Sequence, residues 1–227
     1  MGSDRRSFLG RLVAGAAAAA GGVALDTAPL AAADLPPLPP PVDDKWNVAW
    51  ADKITGRARG VFDSPEINDG GGFFRAMLWM NQYKEVYGLK DEELSAVLVI
   101  RHAAIAMAVN DEYWAAYKAG KALKVKDWTT RKWAERNPYI SHPTPDGKPD
   151  TNPYSLDAFM KRGGTILACN LAFAQIVYEV GQREKLARAE ARTKALTYLL
   201  PGVILQPSGV FGVLRAQAAG CSYIMAS

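Results

Sequence analysis

Short apolar runs alternate along this chain with segments in which apolar residues recur every three or four positions. Such runs are typical of strands buried on both faces, and the longer spacing is typical of amphipathic helices. The predicted strands are residues 57–63, 94–100, 165–170, 203–207 and 221–225. The predicted helices are residues 73–87, 104–121, 156–162, 171–194 and 210–219. This alternation predicts an α/β fold in a single domain, with a mostly parallel five-stranded sheet and helices on both faces.

Residues 122–155 interrupt the alternation. They contain Trp128, Trp133, five prolines and the second histidine, His142. We expect this insertion to loop over the surface, either as a lid or partner contact or as a surface loop without function. An aromatic patch around the two tryptophans would be buried in a symmetric oligomer, so the sequence predicts self-association.

The first 33 residues have the features of an export signal. Arg5 and Arg6 shortly precede an apolar residue and a leucine, an alanine-rich core follows over residues 12–25, and Ala33 closes a small-residue cleavage site. The arginine pair favours the twin-arginine route over an ordinary secretory signal or an uncleaved anchor, and the core is too short for a transmembrane helix. We therefore predict cleavage near Ala33, a periplasmic protein, and recognition of Arg5 and Arg6 by the twin-arginine export machinery.

The remaining chain is long enough for one domain with a full core. Residues 34–45 are predicted to be a proline-rich linker and residues 46–227 the α/β domain. The net charge of +4 becomes +3 without the signal, which holds three arginines and two aspartates. No run of lysine or arginine is left in the mature chain, so composition argues against a nucleic-acid-binding protein.

Cys169 is the first candidate for chemistry. It closes the predicted strand 165–170 just before a helical pattern begins at Leu171, so it would lie at the edge of the sheet where ligands collect. The opening amides of that helix would favour its thiolate. The alternatives are a buried packing residue, or a structural disulfide with Cys221, the only other cysteine.

His102 is the second candidate, because it follows the predicted strand 94–100 directly. It could lie beside Cys169 and act as a base or hydrogen-bond donor, or it could be an ordinary core or rim histidine. Asn110 and Asn170 could orient a ligand, although asparagine at a helix start is first of all a cap. Two cysteines and two histidines without ligand spacing give little support to a metal site, and no cofactor motif is present.

Residues 200–210 and 214–224 resemble the closing motifs of the DsrE/DsrF-like family, in which a cysteine-bearing strand comes first. Residues 97–102 are similar to the family's second strand, which often ends on a histidine. The resemblance covers residues 57–225 apart from the insertion. It implies a compact flavodoxin-like α/β domain that assembles as dimers, trimers or hexamers. It also implies that Cys169 carries sulfane sulfur as a persulfide, received from or passed to a partner protein; no role carries over to Cys221.

Three functional hypotheses follow. The first is an exported sulfur-relay or thiol-redox protein that uses Cys169. The second is a non-enzymatic binding or assembly module in which the cysteine is buried or disulfide-bonded. The third and weakest is a metal site. Whether Cys169 is exposed and its thiol free discriminates between the first two.

Overall fold

Five parallel strands form the centre of the structure, a computed structural model that describes residues 38–143, 146–148 and 153–227. The predicted export signal lies outside these residues. The strands are β1 (Ala58–Ser64), β2 (Leu94–Ile100), β3 (Thr165–Cys169), β4 (Ile204–Gln206) and β5 (Ser222–Met225). Their order in the sheet is β4-β3-β2-β1-β5, and each neighbouring pair is parallel. The predicted α/β fold with a five-stranded sheet is therefore confirmed, and the sheet is parallel throughout.

Helices pack on both sides of this sheet. The α-helices are α1 (Gly71–Tyr87), α2 (Asp111–Tyr117), α3 (Ala119–Ala122), α4 (Leu156–Lys161), α5 (Asn170–Glu184), α6 (Arg188–Thr197) and α7 (Gly209–Ala218). Short 3-10 helices are formed by Ala49–Lys53, Asn68–Gly70, Asp91–Glu93 and His102–Ala108. Within the described residues, no helix has both the length and the apolar character needed to cross a membrane.

The two faces of the sheet bury two separate cores, because side chains alternate along each strand. On one face, residues such as Leu98 and Ile100 pack in the larger core with side chains of α1, α2, α4 and α5. On the other face, Val97 and Val99 pack with α7 and with the 3-10 helix that contains Trp50. Both faces are thus covered, which explains why the strands of the sequence are continuous apolar runs.

The order of the strands creates a topological switch point at the carboxyl ends of β3 and β4. From β1 to β4 each strand is added on the same side of the one before, and the connecting helices lie on the larger core. The connection from β4 to β5 runs back across the sheet, and since parallel crossovers are right-handed, its helix α7 lies on the opposite face. The chain therefore leaves β3 and β4 toward opposite faces. Ligands of open α/β sheets bind outside such strand ends.

The prediction of one continuous helix over residues 104–121 is wrong in the middle of that range. Asn110 has extended backbone angles, and its side chain accepts the amide hydrogen of Tyr113 at 3.1 Å, so it caps the start of α2 instead of lying inside a helix. The preceding residue, Val109, forms an antiparallel bridge with Leu199. A local cap and a long-range backbone contact together stop the helical repeat that the apolar spacing suggests.

The helix predicted over residues 171–194 is also two helices. The first of them, α5, is closed by Lys185, which has a left-handed φ of 55°, and α6 begins three residues later. Lys194 of α6 then folds back to pair with Glu184 of α5 at 2.6 Å. The charged stretch of the sequence therefore forms the end of one helix, a turn and a second helix, and not one continuous solvated helix.

Part of the insertion 122–155 is packed into the core and does not only loop over the surface. Asn137 and Tyr139 are both fully buried. The Asn137 amide nitrogen Nδ2 donates to the carbonyl oxygens of Met107 and Val109 at 2.9 and 2.7 Å, and its Oδ1 accepts from the Tyr139 amide at 2.9 Å. One buried asparagine thus holds the insertion to the segment between β2 and α2.

The two tryptophans of the insertion remain partly accessible. Trp128 is 47% exposed and Trp133 is 43% exposed, which leaves room for the contact that self-association requires. The aromatic edge of Trp128 packs on Tyr139, and the Lys126 ammonium group lies over the Trp133 ring at 5.6 Å. Self-association through this patch stays a prediction.

We predict that Asn137→Ala lowers the free energy of unfolding by about 2–4 kcal/mol, because it leaves two buried carbonyl groups without their donors. Urea denaturation followed by circular dichroism measures the loss. Thr129→Ala, on an exposed residue of the same insertion, is the control and should change stability little. A loss below about 0.5 kcal/mol in the Asn137 variant would contradict the anchoring role.

Candidate functional site

Polar side chains from four strands meet where the strands end. Ile100 pairs with Ala168 in the parallel register, so the next residues, Arg101 and Cys169, follow side by side. Cys169 in turn pairs with Gln206 at the end of β4. These positions continue the face of the sheet that α7 covers. Cys169 and Gln206 therefore lie side by side at the carboxyl ends of β3 and β4, where the chain turns toward opposite faces.

Cys169 links the end of β3 to the start of α5. Its sulfur Sγ accepts the backbone amide hydrogen of Ala172 at 3.4 Å, so the thiol takes the place of the usual serine or aspartate cap. An amide donor at a helix N-terminus favours negative charge on the sulfur. Only 6% of the residue is exposed, so small reagents can reach the sulfur more easily than large ones.

Arg101 forms a two-pronged ion pair at this edge of the sheet. Its Nε and Nη2 donate to the two carboxylate oxygens of Asp63 at 2.7 and 2.9 Å, and the Tyr223 hydroxyl donates to Asp63 Oδ2 at 3.0 Å. Asp63 is 3% exposed. The hydrogen bond to Asp63, together with the nearby charges of Asp63, Tyr223 and Cys169, raises the pKa of Arg101 above its usual value. The guanidinium is therefore a permanent, fixed cation within electrostatic range of the Cys169 sulfur.

Gly209 brings the start of α7 onto this arginine. A Cβ atom at Gly209 would lie 2.6 Å from Cδ of Arg101, which is closer than any side chain permits. The glycine thus lets the helix cover the arginine stem, while 30% of the Arg101 side chain stays accessible.

Gln206 contributes an unsatisfied acceptor beside Cys169. It is fully buried, and its Nε2 donates to the carbonyl oxygens of Asn47 and Leu205 at 2.8 and 2.9 Å. Since both partners are acceptors, the nitrogen of the Gln206 side-chain amide must face them, which fixes the position of its oxygen. Its Oε1 accepts no hydrogen bond from the residues that the structure describes. A buried acceptor of this kind is costly unless a water or ligand supplies a hydrogen.

The second cysteine belongs to the opposite end of the sheet. Cys221 directly precedes β5, whose first residue pairs with Gly60. Across the sheet it is three strand spacings from Cys169, which is about 14 Å. Along the strand direction it is six residues away, which is about 20 Å. A disulfide needs Cα atoms within about 7 Å, so the two cannot bond within one folded chain, and both are free. Burial raises the pKa of the Cys221 thiol to about 11.

His102 follows β2 by two residues and makes no hydrogen bond to Cys169. It has a left-handed φ of 50°, and its Nδ1 lies 3.3 Å from Glu66 Oε1. The side chain is 74% exposed. Its catalytic role stays a prediction; the charged neighbour that the register brings to Cys169 is Arg101.

Two clefts open on either side of the start of α5. One, of about 520 Å³, is lined by His102, Leu171 and the Tyr113–Glu179 pair, in which the tyrosine hydroxyl donates to the carboxylate. The other, of about 500 Å³, is lined by Asn170, whose Oδ1 accepts from Arg192 Nη2 at 2.9 Å. Neither cleft is lined by Cys169 itself. Among the described residues, no three histidine, cysteine or acidic side chains converge as metal ligands.

Sequence reasoning found Cys169 but missed Asp63, Arg101, Gln206 and Tyr223. A signal for the first two is present, because each charged residue comes at the end of an apolar run that predicts a strand. Their pairing depends on the register of β1 against β2, and that of Tyr223 on the position of β5 beside β1. Neither is a local property of the sequence.

The chain matches no model of a known protein family, and no curated protein matches it significantly.

We predict that Cys169 is alkylated faster than Cys221 in the folded protein, by at least about tenfold at pH 8. The raised pKa of Cys221 keeps its reactive thiolate scarce until the pH approaches about 11, whereas Cys169 receives an amide hydrogen bond at a helix start. Iodoacetamide labelling, with each cysteine-containing peptide quantified by mass spectrometry, measures both rates.

The urea-denatured chain is the reference for this comparison, because both thiols should then react alike. Equal labelling of the two cysteines in the folded protein would show that Cys169 has no special reactivity.

Proposed function

We propose that this chain is a DsrE-like protein that carries or transfers sulfane sulfur on Cys169. The observation that carries the proposal is the position of Cys169 at the carboxyl end of β3, as the sulfur cap of α5 and next to Arg101 in the register of the sheet. A sulfur carrier needs a thiolate stabilised by positive charge and by amide donors, and needs it where a donor molecule can approach. The last condition is supported by the position at the strand ends of a parallel sheet, where ligands of such folds bind.

The transfer balances without an oxidant. The Cys169 thiolate attacks the outer sulfur of a donor hydropersulfide, R–S–SH. The new S–S bond forms as the donor S–S bond breaks, which gives Cys169–S–SH and R–S⁻. A second thiolate removes the sulfur from Cys169 in the same way. The partners are thus a persulfide donor and a thiol acceptor.

The positions of the cysteines favour this one-thiol chemistry over a dithiol–disulfide cycle. Thiol redox proteins of the two-cysteine type need a resolving cysteine beside the first. Cys221 cannot reach Cys169 within one folded chain, for the reasons of distance given above. Thiol redox chemistry at Cys169 would require a thiol from another molecule.

The alternative is a non-enzymatic binding or assembly module. The 6% exposure of Cys169 favours it, since a packing cysteine is equally well buried. The cleft of about 520 Å³ beside α5 would then be the ligand site, with apolar walls and Glu179 as its carboxylate. Sulfur loading of the folded protein distinguishes the two functions.

We further propose that the protein acts in the periplasm after export by the twin-arginine route. Support comes from Arg5 and Arg6, from the alanine-rich core and from the cleavage site near Ala33. A protein that folds before export would arrive with both cysteines as thiols, so sulfur loading would be a reaction of the folded state.

We predict that a small-molecule hydropersulfide adds one sulfur atom to the folded protein, at Cys169. Intact-mass and peptide mass spectrometry identify the product and the residue. The Cys169→Ser variant should gain no sulfur, and the matched Cys221→Ser variant should load like the wild type.

A wild-type protein that reacts with iodoacetamide at Cys169 but gains no sulfur would contradict sulfur carriage. So would a Cys169→Ser variant that loads normally.

We predict that replacing Arg5 and Arg6 together by lysine leaves the precursor in the cytoplasm. The export receptor reads the paired guanidinium groups, which lysine does not reproduce although it keeps the charge. Cell fractionation with immunoblotting measures the distribution, and Arg11→Lys, in the same segment, is the control. Normal periplasmic delivery of the double variant would rule out the twin-arginine route.

A further inference from the structure

We propose that the cleft of about 520 Å³ beside α5 binds a small organic cation, an amine or quaternary ammonium ion with a compact apolar body. The inference does not depend on sulfur carriage, since Cys169 does not line this cleft. It rests on the binding function named above as the alternative, to which it gives a ligand class. The apolar walls, a carboxylate in a fixed orientation and the charge of the lining carry it.

Small side chains create the space of this cleft. Six of the residues that line it are alanines: Ala103, Ala106, Ala119, Ala122, Ala172 and Ala174. Leu123 and Leu171 also line it, and both are exposed to solvent. The volume is that of an ordinary small-molecule site, and covering exposed leucine side chains with an apolar ligand is favourable. The walls therefore favour a ligand with an apolar body.

The carboxylate of Glu179 has a fixed orientation in the wall of the cleft. The Tyr113 hydroxyl donates to its Oε2, and Nε2 of Gln175 donates to its Oε1 at 2.9 Å. Tyr113 is itself fixed, because its ring stacks on Tyr117 with the centroids 4.6 Å apart and meets Tyr198 edge-on at 5.7 Å. Burial and the hydrogen bond to Glu179 raise the pKa of Tyr113, so its hydroxyl stays protonated as the donor. The carboxylate keeps further lone pairs for a ligand and is preorganised to receive it.

Within the described residues, no positive side chain pairs with this carboxylate. No lysine or arginine among them lines the cleft, and Glu179 forms none of their ion pairs. Arg183, one turn further along α5, lies over the Tyr117 ring at 5.1 Å and does not line the cleft. His102 lines it, but its Nδ1 lies 3.3 Å from Glu66 at the exposed surface. A partly buried carboxylate without a counter-charge is stabilised by a cation from solution.

The charge of the lining decides between ligand classes. An anion would be repelled by Glu179, and a neutral apolar molecule would remove water from the carboxylate without replacing the lost hydrogen bonds. A metal ion needs several ligands, and Glu179 is the one carboxylate among the described residues that line the cleft. An organic ammonium ion can pair with Glu179 and contact the apolar walls at the same time.

The test is an NMR titration of the full-length protein at pH 7 with benzylammonium, benzyl alcohol and benzoate. The three probes share one aromatic ring and differ in charge. We expect benzylammonium to bind at least about tenfold more tightly than benzyl alcohol, because of its attraction to the carboxylate, and benzoate to bind most weakly.

Glu179→Gln removes the charge and keeps the shape of the side chain. It should raise the Kd for benzylammonium about tenfold and leave the Kd for benzyl alcohol unchanged. Glu85→Gln is the matched control, since Glu85 is an exposed residue of α1 and its substitution changes the net charge equally. Glu85→Gln and Cys169→Ser should both bind benzylammonium like the wild type.

Equal affinity of the wild type for benzylammonium and benzyl alcohol would overturn the ligand class and leave the cleft as a binding site. Binding of none of the three probes would overturn the binding function as well. An unchanged benzylammonium Kd in folded Glu179→Gln would also overturn the inference. The probe comparison uses the wild type, so it decides the ligand class even if Glu179→Gln folds poorly. Sulfur loading is measured separately at Cys169, so its failure would leave the result at the cleft intact.

Discussion

The right-handed crossover is the constraint on which this structure depends. Adding β2, β3 and β4 in one direction keeps the connecting helices on one face, and the return to β5 forces α7 onto the other. The ends of β3 and β4 are consequently the place where the chain diverges. Cys169 and Gln206 are the last residues of these strands, so the topology itself puts a thiol beside a buried amide at this divergence.

The electrostatics of this edge follow from the same arrangement. A parallel sheet collects the carboxyl ends of all strands on one side, and with them Asp63, Arg101, Cys169 and the N-termini of α5 and α7. The buried carboxylate of Asp63 would be unfavourable alone, but it is neutralised by two hydrogen bonds from the guanidinium. At the opposite end of the sheet, burial among apolar side chains raises the pKa of the Cys221 thiol to about 11, although the positive charge of Arg59 opposes this.

The local pattern of the sequence was enough to predict the sheet, because a strand covered on both faces must be apolar at every position. The strand 94–100 was predicted with its observed limits, and 165–170 differs by one residue. The prediction for the middle of the region 104–121 was wrong, since Asn110 caps a helix there and its neighbour Val109 forms an antiparallel bridge with Leu199, ninety positions away.

The candidate site was predictable only in part, for a related reason. Cys169 could be placed at a strand end from local sequence alone, whereas its neighbours depend on register. Arg101 and Asp63 are separated by 38 positions and Tyr223 and Asp63 by 160, so only the assembled sheet brings them together. His102 was a natural candidate as the residue after β2, but the left-handed turn of its backbone directs its contact to Glu66.

The most direct test of a reactive thiol at the carboxyl end of β3 is a crystal structure of the folded protein after treatment with a hydropersulfide. We expect density for one additional sulfur on Sγ of Cys169, with Cys221 unmodified. An unmodified Cys169 enclosed by side chains, or an additional sulfur on Cys221 instead, would contradict this assignment.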